Sequence, residues 1–223
     1  MLRASTKGAK NEQVYDILKK DILSLAIQPG ENISETILAE KYGVSRSPVR
    51  DALRRLRQDG LVIIQPQIGT FVAEISLFEL LEIFEIKIAN DPLAARLAAE
   101  RIDPEDLAPI RRKLEQVKLL DVDKRYQAQK DFDDQLHMLI FNHCGRYLGR
   151  ICRDLFHYSE RIRLYTTKCI NIRQLDSLQE AEKILVALEN KDAEEAYNAM
   201  KDHIENLYTT FSKTLVADTE KIV

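Results

Sequence analysis

Hydrophobic positions recur along most of this chain at helical spacing. From Glu12 onward, Val14, Ile17, Leu18 and Ile22 repeat on one face, with Leu25 beyond, which predicts a first helix. Gln28-Pro29-Gly30 breaks that pattern. Ser34 suits the N-cap of a short second helix whose Leu38, Ala39 and Tyr42 turn inward, and Gly43 supplies the turn after it. Val49, Ala52, Leu53 and Leu56 then fall at i, i+3, i+4 and i+7, a third buried stripe. Ser47 can cap this helix, Pro48 fits its first position and Gly60 ends it.

After Gly60 the period changes. Leu61–Ile64 and Thr70–Val72 read as two strands around Pro66-Gln67-Ile68-Gly69, a short hairpin. Helix, helix–turn–helix and hairpin, in that order, predict a winged helix-turn-helix domain with the third helix as the reading head. Beyond Ser76 the pattern is helical throughout, predicting helices near Leu77–Glu100, Pro104–Leu120, Lys124–His143, Arg146–Cys169, Leu175–Glu189 and Ala193–Leu215. Asp103-Pro104 is a cap followed by proline, and Asp192 with Glu195 resembles a capping box. Pro92 predicts a kink, and Gly145 with Gly149 a joint between two long helices. The expected fold is mainly α, with an N-terminal winged helix-turn-helix over residues 1–75 and a C-terminal all-α helical bundle over residues 76–223. The first ten residues, polar and basic, read as a mobile arm.

Charge sharpens the picture. The net charge is −3 over 223 residues, so the chain as a whole does not bind polyanions indiscriminately. Residues 1–75 carry 11 Lys/Arg against 9 Asp/Glu, and residues 76–223 carry 22 against 27. Between Lys41 and Arg57 there are six basic residues and one acid, Asp51. A short helix apolar on one side and arginine-rich on the others suits a major-groove reader, although a solvated surface helix has the same pattern. Cys144, Cys152 and Cys169 lack CxxC spacing and predict a reducing compartment. With no long apolar run and no signal-peptide pattern, the expected location is the cytoplasm and no membrane partner is expected. P-loop, HExxH and GxSxG runs do not occur, so the chain reads as a non-enzyme.

The run LAEKYGVSRSPVRDALRRLRQDGLVIIQPQIGTFV closely resembles the N-terminal domain of GntR-family transcription regulators. EIKIANDPLAARLAAERI, DFDDQLHMLIF, SLQEAEKILVALENKDAEEA and MKDHIENL resemble, in order and spacing, the helical FCD domain of the FadR-type branch. The resemblance implies a homodimeric, effector-responsive regulator, most often a repressor, acting on a palindromic operator. It places Ser45, Arg46, Ser47 and Arg50 at DNA-meeting positions, with Gln67 and Gly69 at the wing tip. Arg46 and Arg50 have the fork that matches guanine O6/N7, whereas the serines suit phosphate oxygens. Arg54, Arg55 and Arg57 read rather as solvated or paired within the protein.

FCD domains of this kind often hold a divalent metal through one aspartate and three histidines. Asp133 and His137 stand at i, i+4, and His203 lies on the inward stripe of Ala196, Met200 and Leu207. The third family histidine is replaced by Ala181, on the inward face with Leu178, Ile184, Leu185 and Leu188. Three ligands suit Zn²⁺ or a similar transition metal, with the affinity weakened by Ala181. The plainer reading pairs Asp133 with His137 and leaves His203 a satisfied core histidine. Lys87 and Asp91 stand where the family usually has arginine and glutamate. Lys87 offers a point charge to a small organic acid effector, and Arg161 is a further candidate. Two rival functions follow: a constitutive dimeric DNA binder with a decayed effector site, and a metal-dependent hydrolase.

Overall fold

The structure is a computed structural model and describes residues 7–165 and 174–219. It divides into two units, Met1–Ser76 with Glu160–Tyr165, and Leu77–Ser159 with Thr166–Val223.

In the first unit α1 (Lys7–Leu23), α2 (Glu35–Tyr42) and α3 (Arg46–Gln58) precede β1 (Val62–Gln65) and β2 (Gly69–Val72). Val14, Leu18 and Ile22 of α1 are fully buried, and so are Val49 and Leu56 of α3, against which α1 packs. Ser34 accepts the Ile37 amide at the start of α2. Gly43 takes a left-handed φ of 65° that turns the chain into α3. The strands pair antiparallel, Val62 opposite Val72 and Gln65 opposite Gly69. On its other edge β2 exchanges main-chain bonds with the segment before α2: Ile33 N donates to Thr70 O at 2.7 Å and Val72 N to Glu31 O at 2.9 Å.

Two expectations are corrected in this unit. Helix α3 starts at Arg46 with Ser45 as N-cap, not at Pro48 with Ser47 as the cap. Proline is tolerated in the first turn because amides there have no carbonyl partner inside the helix, so Pro48 marks that turn and not its first residue. The arm expected over the first ten residues does not extend to its full length, since α1 is already formed at Lys7; residues 1–6 lie outside the described residues.

The second unit carries α4 (Leu77–Ala99), α5 (Pro104–Lys118), α6 (Val122–His143), α7 (Arg146–Tyr165, its last six residues in the first unit), α8 (Gln174–Glu189) and α9 (Ala193–Thr219). Helix α4 runs through Pro92. Asp103 holds the N-cap position of α5 without a side-chain cap bond, Pro104 follows it, and Asp192 accepts the Glu195 amide at 3.0 Å where α9 begins. The expected end of the fourth bundle helix at Cys169 lies outside the described residues. Phe84, Leu80, Leu114, Phe132, Leu136 and Phe141 are fully buried and make the core, joined by Ile184, Leu185, Met200 and Ile204 from α8 and α9.

Gly145, with φ 116°, is the joint between α6 and α7, whereas Gly149 lies inside α7. Its role is closeness: a Cβ there would stand 2.0 Å from the Phe141 carbonyl oxygen of α6. Backbone cannot yield as a side-chain tip can. We therefore expect Gly149→Ala to cost about 1–3 kcal/mol of stability, as overpacked interiors do. Urea unfolding followed by circular dichroism checks this, and an unchanged midpoint would contradict the contact.

Candidate functional site

The N-terminal unit presents an arginine face. Burying Val49, Ala52, Leu53 and Leu56 turns Ser45, Arg46, Ser47, Arg50 and Arg54 outward, all exposed. Ser45 makes no side-chain cap bond, so its hydroxyl is not used by the helix. At the wing, Ile68 N donates to Gln65 O at 3.2 Å, Gln67 turns with a φ of 63°, and Ile68 is 71% exposed. Gly69 opens β2 directly after that tip.

Two arginines of α3 are engaged inside the unit. Arg55 pairs with Glu12 at 2.8 Å and lies over the Tyr15 ring, 3.8 Å from its centroid, in line with the reading of it as an intramolecular partner. Arg50 makes a forked pair with Glu35 of α2, Nε to Oε1 at 3.1 Å and Nη2 to Oε2 at 2.8 Å. Sequence reasoning did not single out Glu35. Its signal was an acid in the first turn of the helix that precedes the basic one.

The second unit holds a buried polar cluster. Asp133 and His137 of α6 and His203 of α9 each offer one ligand atom, and these atoms lie within 4.8 Å of one another. His137 and His203 are 2% and 0% exposed. His137 Nδ1 stands 3.0 Å from the Asp133 carbonyl oxygen, and His203 Nδ1 stands 3.0 Å from Glu180 Oε2. A proton on each Nδ1 satisfies both contacts and leaves each Nε2 with its lone pair. Burial pushes the His137 imidazole below the ordinary histidine range, which keeps it neutral, the form that ligates metals. His203 Nε2 is buried and has no hydrogen-bond partner among the described residues, its distance to Asp133 Oδ1 being 4.0 Å. An orphaned imidazole nitrogen beside a carboxylate and a second imidazole fits a metal's donor set.

Glu180 was also missed as a site residue. It directly precedes Ala181, which is buried and carries no donor. Its other oxygen accepts from Asn206 Nδ2 at 2.8 Å. This is the carboxylate–histidine arrangement that orients a ligating imidazole. A polar cavity of about 510 Å³ lies against Glu180, with Lys183, Asp202 and Asn206 on its walls.

Lys87 and Asp91 of α4 form a buried ion pair with each other, at 3% and 0% side-chain exposure. The Lys87 ammonium sits 5.8 Å from the Phe141 ring centroid and 5.6 Å from that of Phe156, a ring that also packs on His137. Burial, with the Asp91 carboxylate adding to it, raises the Cys152 thiol far above its usual range. Arg161 donates through Nη2 to the Ala73 carbonyl at 2.7 Å, a contact within the N-terminal unit. A guanidinium that is 5% exposed must find acceptors, and a main-chain carbonyl is one that sequence pattern cannot reveal.

These features define a winged-helix DNA-binding transcription regulator with an all-helical C-terminal domain. The family model for bacterial regulatory proteins of the gntR family matches residues 10–72, and that for the FCD domain matches residues 82–206. The chain belongs to the GntR family and carries its FCD domain. It is 32% identical over 198 residues to the uncharacterized HTH-type transcriptional regulator YdhC of Bacillus subtilis, covering 86% of this chain and 84% of that protein. It is 28% identical over 198 residues to the HTH-type transcriptional repressor RspR of Escherichia coli, covering 88% and 86%. Among solved structures it resembles E. coli McbR/YncC, with a TM-score of 0.71 at 22% identity over 96% of this chain and 100% of that one, a likeness of fold. Among the described residues no helix is long and apolar enough to cross a membrane.

Proposed function

We propose that this regulator is a homodimeric repressor acting in the cytoplasm, which reads a palindromic operator with α3 and releases it in response to a small organic acid. Ser45, Arg46, Ser47 and Arg50 meet the major groove, and Gln67 and Gly69 bring the wing to the backbone beside it. The observation that carries this reading is the set of exposed groups at the start of α3, presented by a helix whose opposite face is fully buried. Repression is supported by the name of RspR. Dimerisation is supported by Phe78, Ile86 and Leu93 along α4, which are 72%, 47% and 41% exposed.

Effector binding is assigned to the buried cluster of the helical domain. Lys87 and Asp91 are its polar anchors, and Asp133, His137 and His203 would hold a transition metal. Such a metal supplies a Lewis-acidic centre for an effector oxygen. The protein's own part is to keep the His137 imidazole neutral and to aim the two rings through Asp133 and Glu180. An effector that favours one arrangement of the dimer shifts DNA affinity, and one that binds both arrangements equally does not. Ala181 favours a second reading, a constitutive DNA binder whose effector site has lost a ligand.

Selection of bound duplexes from a random library tests the main reading. We expect an inverted repeat, with half-site centres about 34–36 Å apart or a multiple of that. Enrichment of a single half-site would contradict the dimeric reader. Constitutive binding predicts that neither metal nor extracted metabolite changes the thermal midpoint, whereas a ligand of the native state must raise it.

A further inference from the structure

Arg50 does not stand free on the surface of α3. Glu35 grips it from α2 along one edge of the guanidinium, with Nε 3.1 and 3.2 Å from the two carboxylate oxygens and Nη2 2.8 Å from Oε2. The pair remains half-open to solvent, at 53% and 30% side-chain exposure. Arg46 and Arg54, one turn before and one turn after Arg50, also act electrostatically on the Glu35 carboxylate, and together with the Arg50 bond they hold it below the usual carboxylate range. Glu35 thus faces a row of three arginines, and Asp51 adds a weaker electrostatic pull on Arg50.

The geometry of a guanidinium makes this arrangement selective. Five N–H donors lie in one plane. A carboxylate on the Nε–Nη2 edge leaves the Nη1–Nη2 end with donors pointing away from it, and two parallel donors of that kind match guanine O6 and N7. Holding the fork before contact removes part of the rotamer entropy that a free arginine loses on binding. A carboxylate also repels phosphate, so the same residue weakens sequence-independent attachment.

Resting on the reading of α3 as the DNA reader, we infer that Glu35 is a specificity-determining positioning residue: it fixes Arg50 for end-on recognition of a guanine and opposes non-specific grasp of the backbone. The acid does not touch the base; it acts through Arg50.

A double-mutant cycle on the full-length protein tests this, with fluorescence anisotropy on the selected operator and on a scrambled duplex at one fixed salt concentration. Glu35→Gln keeps the size and removes the charge. It is expected to weaken operator binding about 5- to 20-fold, within the range of a direct side-chain coupling. Binding to the scrambled duplex should become tighter, and discrimination at one guanine position of the half-site should relax. In an Arg50→Ala background the same change should no longer weaken operator binding. Parallel shifts on both duplexes, or an equal loss in the Arg50→Ala background, would overturn the positioning role while leaving the DNA-binding reading intact. Unchanged operator affinity in Arg50→Ala alone would overturn the reading of α3 itself. Thermal melting of each variant separates these outcomes from unfolding.

Discussion

Arg50→Ala is expected to weaken operator binding by about 1–3 kcal/mol per half-site, roughly 5- to 150-fold, because a bidentate arginine–guanine contact is worth that much. In a two-fold complex the loss occurs twice. The helical domain should be untouched, since Arg50 is exposed and bonds to Glu35 within the N-terminal unit. Binding to unrelated DNA should fall far less, so the ratio of specific to non-specific affinity carries the result. Anisotropy titrations at several salt concentrations make the measurement. A uniform loss on every sequence would reassign Arg50 to phosphate contact.

The helical domain offers an independent test. His203→Ala should reduce Zn²⁺ affinity by more than about 100-fold, because an outer partner alone is typically worth 10–100-fold and a direct ligand exceeds it. Glu180→Gln, which keeps His203 in place but withdraws the charge behind its Nδ1, should cost about 10- to 100-fold. Ala181→His should move affinity the other way by restoring a fourth donor at a buried position. Calorimetric titration of the metal, together with the zinc-dependent rise in melting temperature, reads all three. If Glu180→Gln matched the unaltered protein, the carboxylate would be a packing partner and not a support for the ligand. If none of the three variants changed zinc binding, the cluster would be only a buried polar network.

Much of the architecture is legible in the sequence. The stripe Val49, Ala52, Leu53 and Leu56 announced α3, and its burial is complete or nearly so. The change of period after Gly60 announced the hairpin. Asp133, His137 and His203 could be grouped because a helical repeat and family resemblance both turn them inward. What escaped depended on pairing between elements. Glu35 meets Arg50 across a separation of 15 residues, and Glu180 meets His203 across 23. Periodicity describes one helix at a time and has no term for which neighbour a charged side chain will find. Arg161 shows the same limit, since its partner is a main-chain carbonyl 88 residues away. The start of α3 was misplaced for a local reason: serines at 45 and 47 are both good caps, and proline is accepted at several positions of a first turn.

The buried Lys87–Asp91 pair has a consequence for descent. Removing either partner would strand the other charge in the interior, at a cost of about 3–5 kcal/mol, a large share of what a domain has to lose. A lineage that loses one of the two charges alone is expected to pass through a marginally stable protein. The two charges are therefore expected to be lost together and not singly, whereas exchanging Lys87 for arginine or Asp91 for glutamate keeps the pair charged.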